Sequence, residues 1–164
     1  MNPYNHAILN IKINLDIKEI GNKLKENILI KIIKLVENRC IEDGIVKVSS
    51  VKIISHSAGA VNGDKILFYV VFECMVCNPT EAMILEAKVM TITKAGIHAV
   101  VEDDEGNSPI TVFVARDHHQ GDKQFNDVAE GTTISVRVIG SRFELNDQYI
   151  CVIATLERDT PTEL

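Results

Sequence analysis

Tryptophan is absent from the 164 residues, and aromatic side chains make up only 5% of them. A core built from this chain rests on aliphatic packing, and a face that stacks on bases has few rings to offer. Long apolar runs are missing too. The longest, such as Ile66 to Phe72, falls far short of the roughly 20 residues of a membrane-spanning helix. The opening "MNPYNHAILN" has no basic region followed by an apolar one, so no leader is expected. Four cysteines, Cys40, Cys74, Cys77 and Cys151, are too few and too scattered for a disulfide scaffold and agree with a reducing compartment. The expectation is a soluble, intracellular protein. With 46% hydrophobic and 24% charged residues, disorder is excluded, and the length suits one medium domain or two small ones.

Charge is unevenly spread. Residues 1–80 hold 10 Lys and Arg against 8 Asp and Glu, a net of +2, whereas residues 81–164 hold 7 against 15, a net of −8. The shift falls near Asn78-Pro79-Thr80, where a proline without an amide donor suits a junction between units. An acidic second half argues against tight nonspecific nucleic-acid binding, which is mainly phosphate neutralisation.

In the first half, Leu9, Ile11, Ile13 and Leu15 alternate with Asn10, Lys12 and Asn14, the pattern of a half-buried strand. Asp16 and Glu19 have capping-box spacing and predict a helix start. Ile20, Leu24, Ile28, Ile32 and Leu35/Val36 then recur at helical spacing, with Gly21 as a possible early break and "EDG" at 42–44 as the end. Two further strands, 45–54 and 66–76, flank the small-residue loop "SHSAGAVNGD". The second half reads as five short strands, with the polar stretch "ARDHHQGDKQFNDVAEG" between the third and fourth. Asn146-Asp147 marks the turn of a last hairpin, "VRVIGSRFELNDQYICVIATL", which would close a barrel. The fold class is α+β: an N-terminal three-stranded sheet with a covering helix (1–80), followed by a five-stranded OB-type β-barrel (81–164).

The order of these segments, with "LNIKINLD", "LKENILIKIIKLVENRC", "FYVVFECMVCNP", "KVMTITKAGIHAVVED", "VFVARDHH" and "IGSRFELND", resembles the stalk subunit family of DNA-directed RNA polymerases. That family comprises the seventh subunit of eukaryotic RNA polymerase II, its archaeal counterpart and relatives in large DNA viruses. The resemblance implies a noncatalytic transcription subunit, without cofactor or metal, acting at the site of transcription in nucleus, cytoplasm or virion. It implies docking on the polymerase core through Ser57, Ala58, Gly59, Ala60, Val61, Asn62 and Gly63. It also implies a stalk partner resembling the fourth subunit, and contact of the barrel with nascent single-stranded RNA. The aromatic-Gly-x-aromatic segment usual in such barrels is replaced by Ala95-Gly96-Ile97-His98, so only His98 could stack there. The RNA-facing candidates are then Lys94, His98, Phe113 and Arg116, with weak affinity expected. The end, "ERDTPTEL", is polar and lacks the apolar ending of many relatives.

Other patterns carry less. Cys74 and Cys77 have thiol spacing for zinc but sit in an apolar strand, where residues three apart face opposite sides, and no second pair completes a set. "GAVNGDK" lacks the glycine spacing and the Ser/Thr of a phosphate-binding loop. "EDDEG", 102–106, reads as a solvated turn, and His118-His119 as solvated neighbours in a polar loop. The barrel's basic residues, Lys88, Lys94, Arg116, Lys123, Arg137, Arg142 and Arg158, are either dispersed or gathered on one face, and Arg142 could fix the closing turn through Asp147. Two alternatives to the polymerase subunit are a freestanding OB-fold RNA-binding adaptor in translation or RNA decay, and a metal-dependent nuclease using Asp103, Asp104 and His118 or His119.

Overall fold

The computed structural model describes residues 2–157. The chain divides into two compact units, Tyr4–Cys77 and the residues from 78 onward together with the N-terminal three.

In the first unit, β1 (Asn5–Asp16) and β6 (Lys65–Cys77) pair antiparallel along their whole length, from Asn5↔Val76 to Asp16↔Lys65. The other side of β6 is shared in succession by β3 (Gly44–Val46), β4 (Lys52–His56) and β5 (Ala60–Asn62), with β2 (Cys40–Ile41) beyond β3. The sheet thus has three main columns, but the strand expected over 45–54 is broken. Serine chemistry accounts for the break: Ser49 takes φ 62°, and the Ser50 hydroxyl donates to the Lys47 carbonyl at 2.7 Å while accepting the Met75 amide at 3.2 Å. A side chain thereby replaces a rung of the ladder.

The helix α1 spans Leu24–Val36, two turns later than the Asp16 cap predicts. Asp16 stays in the ladder opposite Lys65 because Leu15 is fully buried beside it. Residues 17–19 form one 3-10 turn, and neither Asp16 nor the actual N-cap, Lys23, caps through its side chain. The Asn27 side-chain Nδ2 instead donates to the Glu19 carbonyl at 2.8 Å. The helix ends well before "EDG", at Asn38 in the left-handed conformation (φ 56°) that suits an Asn just past a C-cap. Ile28, Ile32 and Val36, one face of α1, bury against Ile13, Leu15, Phe68, Val70, Phe72 and Val76. Each such large aliphatic side chain contributes roughly 1.5–3 kcal/mol.

The second unit contains β7 (Ile84–Ile92), β8 (Gly96–Val101), β9 (Ile110–Ala115), β10 (Thr133–Arg142) and β11 (Ile150–Leu156). They close a barrel in the order β7-β8-β9-β11-β10, with β10 back on β7. Every pairing is antiparallel except β9 with β11, which is the OB-type arrangement expected. Period-two alternation puts Leu85, Ala87, Val89, Ile97, Ala99, Val101, Val112, Val114, Val136 and Val152 inside. Bulges at Val89/Thr91 and Val138/Gly140 bend β7 and β10 around the small cross-section. The last hairpin does close the barrel, because β11 lies between β9 and β10.

Between β9 and β10 the chain forms a 3-10 turn over Arg116–His119 and a short α2 (Lys123–Asn126), capped by the Asp122 side chain at 3.0 Å from the Gln124 amide.

Candidate nucleic-acid face and docking tip

Outward positions of β8 and β9 bring His98 directly opposite Phe113, with ring centroids 5.0 Å apart and planes tilted by 46°. The parallel pairing of β9 with β11 places Ile153 on the other side of Phe113. Ile153 is half exposed, so His98, Phe113 and Ile153 form one outward row across three strands. Sequence reasoning missed Ile153. Its outward parity was readable from the alternation in "ICVIATL", but its neighbour was set by a pairing 40 residues away.

Lys94 lies in the turn joining β7 to β8, and Arg116 follows β9 at the same end of the β8–β9 strand pair. Together with Ile92 and Thr93 they line an open depression of about 570 Å³. Of the four residues expected to face RNA, Lys94 and Arg116 thus share one depression, while His98 and Phe113 form a ring pair on β8 and β9. Arg116, however, is largely committed to the fold: its Nε donates to the Lys94 carbonyl and its Nη2 to the Thr93 carbonyl, each at 3.0 Å. Its guanidinium carbon also lies 5.1 Å from the centre of the Phe125 ring. Lys94 supplies the freer positive charge.

Gly96 makes this turn possible. A Cβ there would overlap the Val114 carbonyl oxygen, so the close approach of β8 to β9 requires glycine.

Two other basic residues of the barrel face carboxylates. Arg137 grips Glu157 through two bonds of 2.7 and 2.8 Å, and Lys88 lies 3.8 Å from Glu102. The hydrogen bond from Arg137 holds the Glu157 carboxyl below its usual range. The closing turn is not fixed by Arg142: the Asp147 carboxylate accepts the Glu144 amide at 2.8 Å, with Asn146 at φ 71°. Arg158 and the rest of "RDTPTEL" lie outside the described residues.

Two loop readings need correction. Asp103 is buried, and one carboxylate oxygen accepts the amides of Glu105 and Asn107 at 3.0 and 2.9 Å. It shapes its turn from within. His118 is exposed as expected, but His119 is buried. Its Nε2 accepts the Leu156 amide at 3.0 Å, its Nδ1 donates to the Ala115 carbonyl at 2.9 Å, and its ring stacks on Phe125 at 4.9 Å. Asp103 follows β8 and His119 follows β9 at the opposite end of that strand pair, so a nuclease site over Asp103, Asp104, His118 and His119 is not assembled. Among the described residues, no three His, Cys, Asp or Glu side chains come together in a way that could hold a metal ion. Cys74 belongs to the core under α1, and burial pushes its thiol up to about 11 and that of Cys77 up to about 12.

In the first unit, the loop at 57–63 is more ordered than a flexible link. The Ser57 amide donates to the Tyr69 carbonyl and its hydroxyl accepts the Tyr69 amide, both at 2.9 Å. A Cβ on Gly59 would lie 2.5 Å from Ile66 Cγ2 and 3.0 Å from the Phe68 ring. Ala60–Asn62 then pairs with Leu67–Lys65 as β5. The two-residue turn at 63–64 has Gly63 at φ 65°, a sign that residues with a Cβ seldom adopt.

At the end of this hairpin Val61 is 82% exposed. Because Asp16 and Asn62 both pair with Lys65, the segment after β1 lies at the same end of the sheet, and there Ile17 is 69% and Ile20 37% exposed. Helical spacing assigns Ile20 to the apolar stripe of the helix. Only the displacement of this segment from α1 reveals both isoleucines as surface.

No protein-family model matches the chain. Over 170 aligned residues it is 25% identical to DNA-directed RNA polymerase II subunit 7 of Arabidopsis thaliana and to DNA-directed RNA polymerase II subunit RPB7 of Glycine max. Each alignment covers 94% of this chain and 92% of the relative. The similarity to these RNA polymerase subunits thus runs through the sheet unit as well as the barrel.

Proposed function

We propose that the chain is a noncatalytic subunit of a multisubunit DNA-directed RNA polymerase. It docks through the tip of its first unit and offers its barrel to nascent single-stranded RNA at the site of transcription. The observation that carries this reading is the reach of the similarity. OB-type barrels host many unrelated functions, so a match confined to the barrel would mean little, whereas 94% coverage includes the tip unit.

Docking by Ser57–Gly63 is supported by the exposed Val61 at the end of a hairpin held in shape by Ser57, Gly59 and Gly63. A large apolar side chain presented on a rigid turn suits the centre of an interface, where few residues carry most of the energy. RNA contact is supported by the His98–Phe113 ring pair on β8 and β9 and by Lys94 in the turn that leads into β8. One stacked base contributes roughly 1–3 kcal/mol, and the unit is acidic, so free affinity is weak. Tethering to a polymerase would overcome that weakness by raising the effective RNA concentration. A stalk partner like the fourth subunit completes the proposal.

The test is affinity purification of the tagged chain from its native source, comparing wild type with Val61→Asp and Ile17→Asp. Large polymerase subunits should accompany wild type and be lost from the variants, which stay folded because both positions are exposed. Recovery of no polymerase subunit with wild type would refute the proposal and leave the freestanding RNA-binding adaptor as the reading to pursue.

A further inference from the structure

The turn that carries Lys94 is held from outside the barrel sheet. Arg116 binds two of its carbonyls, those of Thr93 and Lys94, through the side chain, and a third, that of Ala95, through its amide at 3.0 Å. Behind Arg116 lies Phe125 of α2, only 3% exposed, 5.1 Å from the guanidinium carbon. Behind Phe125 lies His119, nearly parallel at 19°. His119 ends the series on backbone groups of two strands, Ala115 of β9 and Leu156 of β11. Because the Leu156 amide can only donate, Nε2 must accept, and Nδ1 carries the proton given to Ala115. The imidazole is thereby fixed in one tautomer and one orientation.

We propose that Arg116, Phe125 and His119 act as a brace that sets the position of the Thr93–Ala95 turn, making Phe125 a positioning residue for the ligand that meets Lys94. The claim that this ligand is RNA rests on the function proposed above; the brace itself does not. A planar guanidinium bound at two carbonyls is restrained in direction as well as distance, and a ring beneath it restrains it further. Removing the ring frees the guanidinium to swing into solvent, and the turn loses its outer restraint while the barrel interior is untouched.

The test uses the full chain and two variants, Phe125→Leu and Arg116→Lys. Lysine keeps the charge but cannot span two carbonyls. The main readout is hydrogen exchange at the Thr93 amide, which donates to the Gly96 carbonyl at 2.8 Å, and at the Arg116 amide. Both variants should speed exchange at these two sites by about tenfold or more, relative to the Val112 and Ile97 amides inside the barrel. Binding of a short single-stranded oligouridine should weaken by about fivefold, also in Arg116→Lys, where no charge is lost. Unchanged exchange at Thr93 and Arg116 in either folded variant overturns the brace. If Phe125→Leu fails to fold, Arg116→Lys decides. If wild type binds no oligouridine while exchange responds as expected, the RNA reading fails and the brace stands.

Discussion

Replacement of His119 by alanine tests whether a histidine in a polar stretch holds the barrel together. Two hydrogen bonds and a ring contact disappear. The Leu156 amide, on a residue only 7% exposed, loses its acceptor at 3.0 Å, and a buried amide left unpaired costs about 1–3 kcal/mol. The stacked contact with Phe125 adds about 0.5–1.5 kcal/mol. Ala115 is only partly buried, so water can replace the partner of its carbonyl. The expected loss is about 2–4 kcal/mol. With a urea dependence of about 2 kcal/mol per molar, the unfolding midpoint falls by about 1–2 M. His118→Ala, one residue away and exposed, should stay within about 0.5 kcal/mol of wild type. The assay is urea unfolding followed by far-ultraviolet circular dichroism, with exchange of the β11 amides assigning the loss to the barrel. An H119A midpoint equal to that of H118A would refute the reasoning.

Three further outcomes are expected. Of the four free cysteines only Cys151 is exposed, so one thiol should react with a disulfide reagent in the native chain at pH 8. Cys74 and Cys77, pushed by burial to about 11 and about 12, should react only on unfolding, and more than one fast thiol would contradict the packing. Gly96→Ala should lower the thermal midpoint by about 4 °C or more, since the overlap is with backbone. Gly140→Ala, with open space around its Cβ position, should leave the midpoint nearly unchanged. Glu157 has its carboxyl held below the usual 4.5 by the hydrogen bond from Arg137. The pair therefore stabilises above that value, and its contribution is lost as pH falls through the lowered one. Any difference in urea midpoint between wild type and Arg137→Gln should be present at pH 7, smaller at high salt, and gone once Glu157 is protonated; a difference that persists in acid would rule this out.

Local periodicity settled much about this protein. Alternation in "ILEAKVMTI", "ITVFV" and "ICVIATL" dictates which side chains fill a barrel, because successive Cβ atoms must point to opposite faces whatever the partner strand. Spacing by four likewise marked Ile28, Ile32 and Val36 as the buried face of α1. These are properties of a few adjacent residues, and so the amino-acid sequence alone determined the fold class. What it could not decide was every feature set by a distant competitor for the same backbone. The Asp16 cap lost to the ladder with Lys65, and the 45–54 strand was cut where Ser50 captured the Met75 amide. His119 left solvent because Leu156, 37 residues on, needed an acceptor. Arg116 clamps its neighbouring turn because the Thr93 and Lys94 carbonyls lie within its reach. Ile153 joined Phe113 through a parallel pairing between strands far apart in the chain. Hydrogen-bond demand is met wherever the closed chain brings a partner, and only the tertiary structure decides where that is.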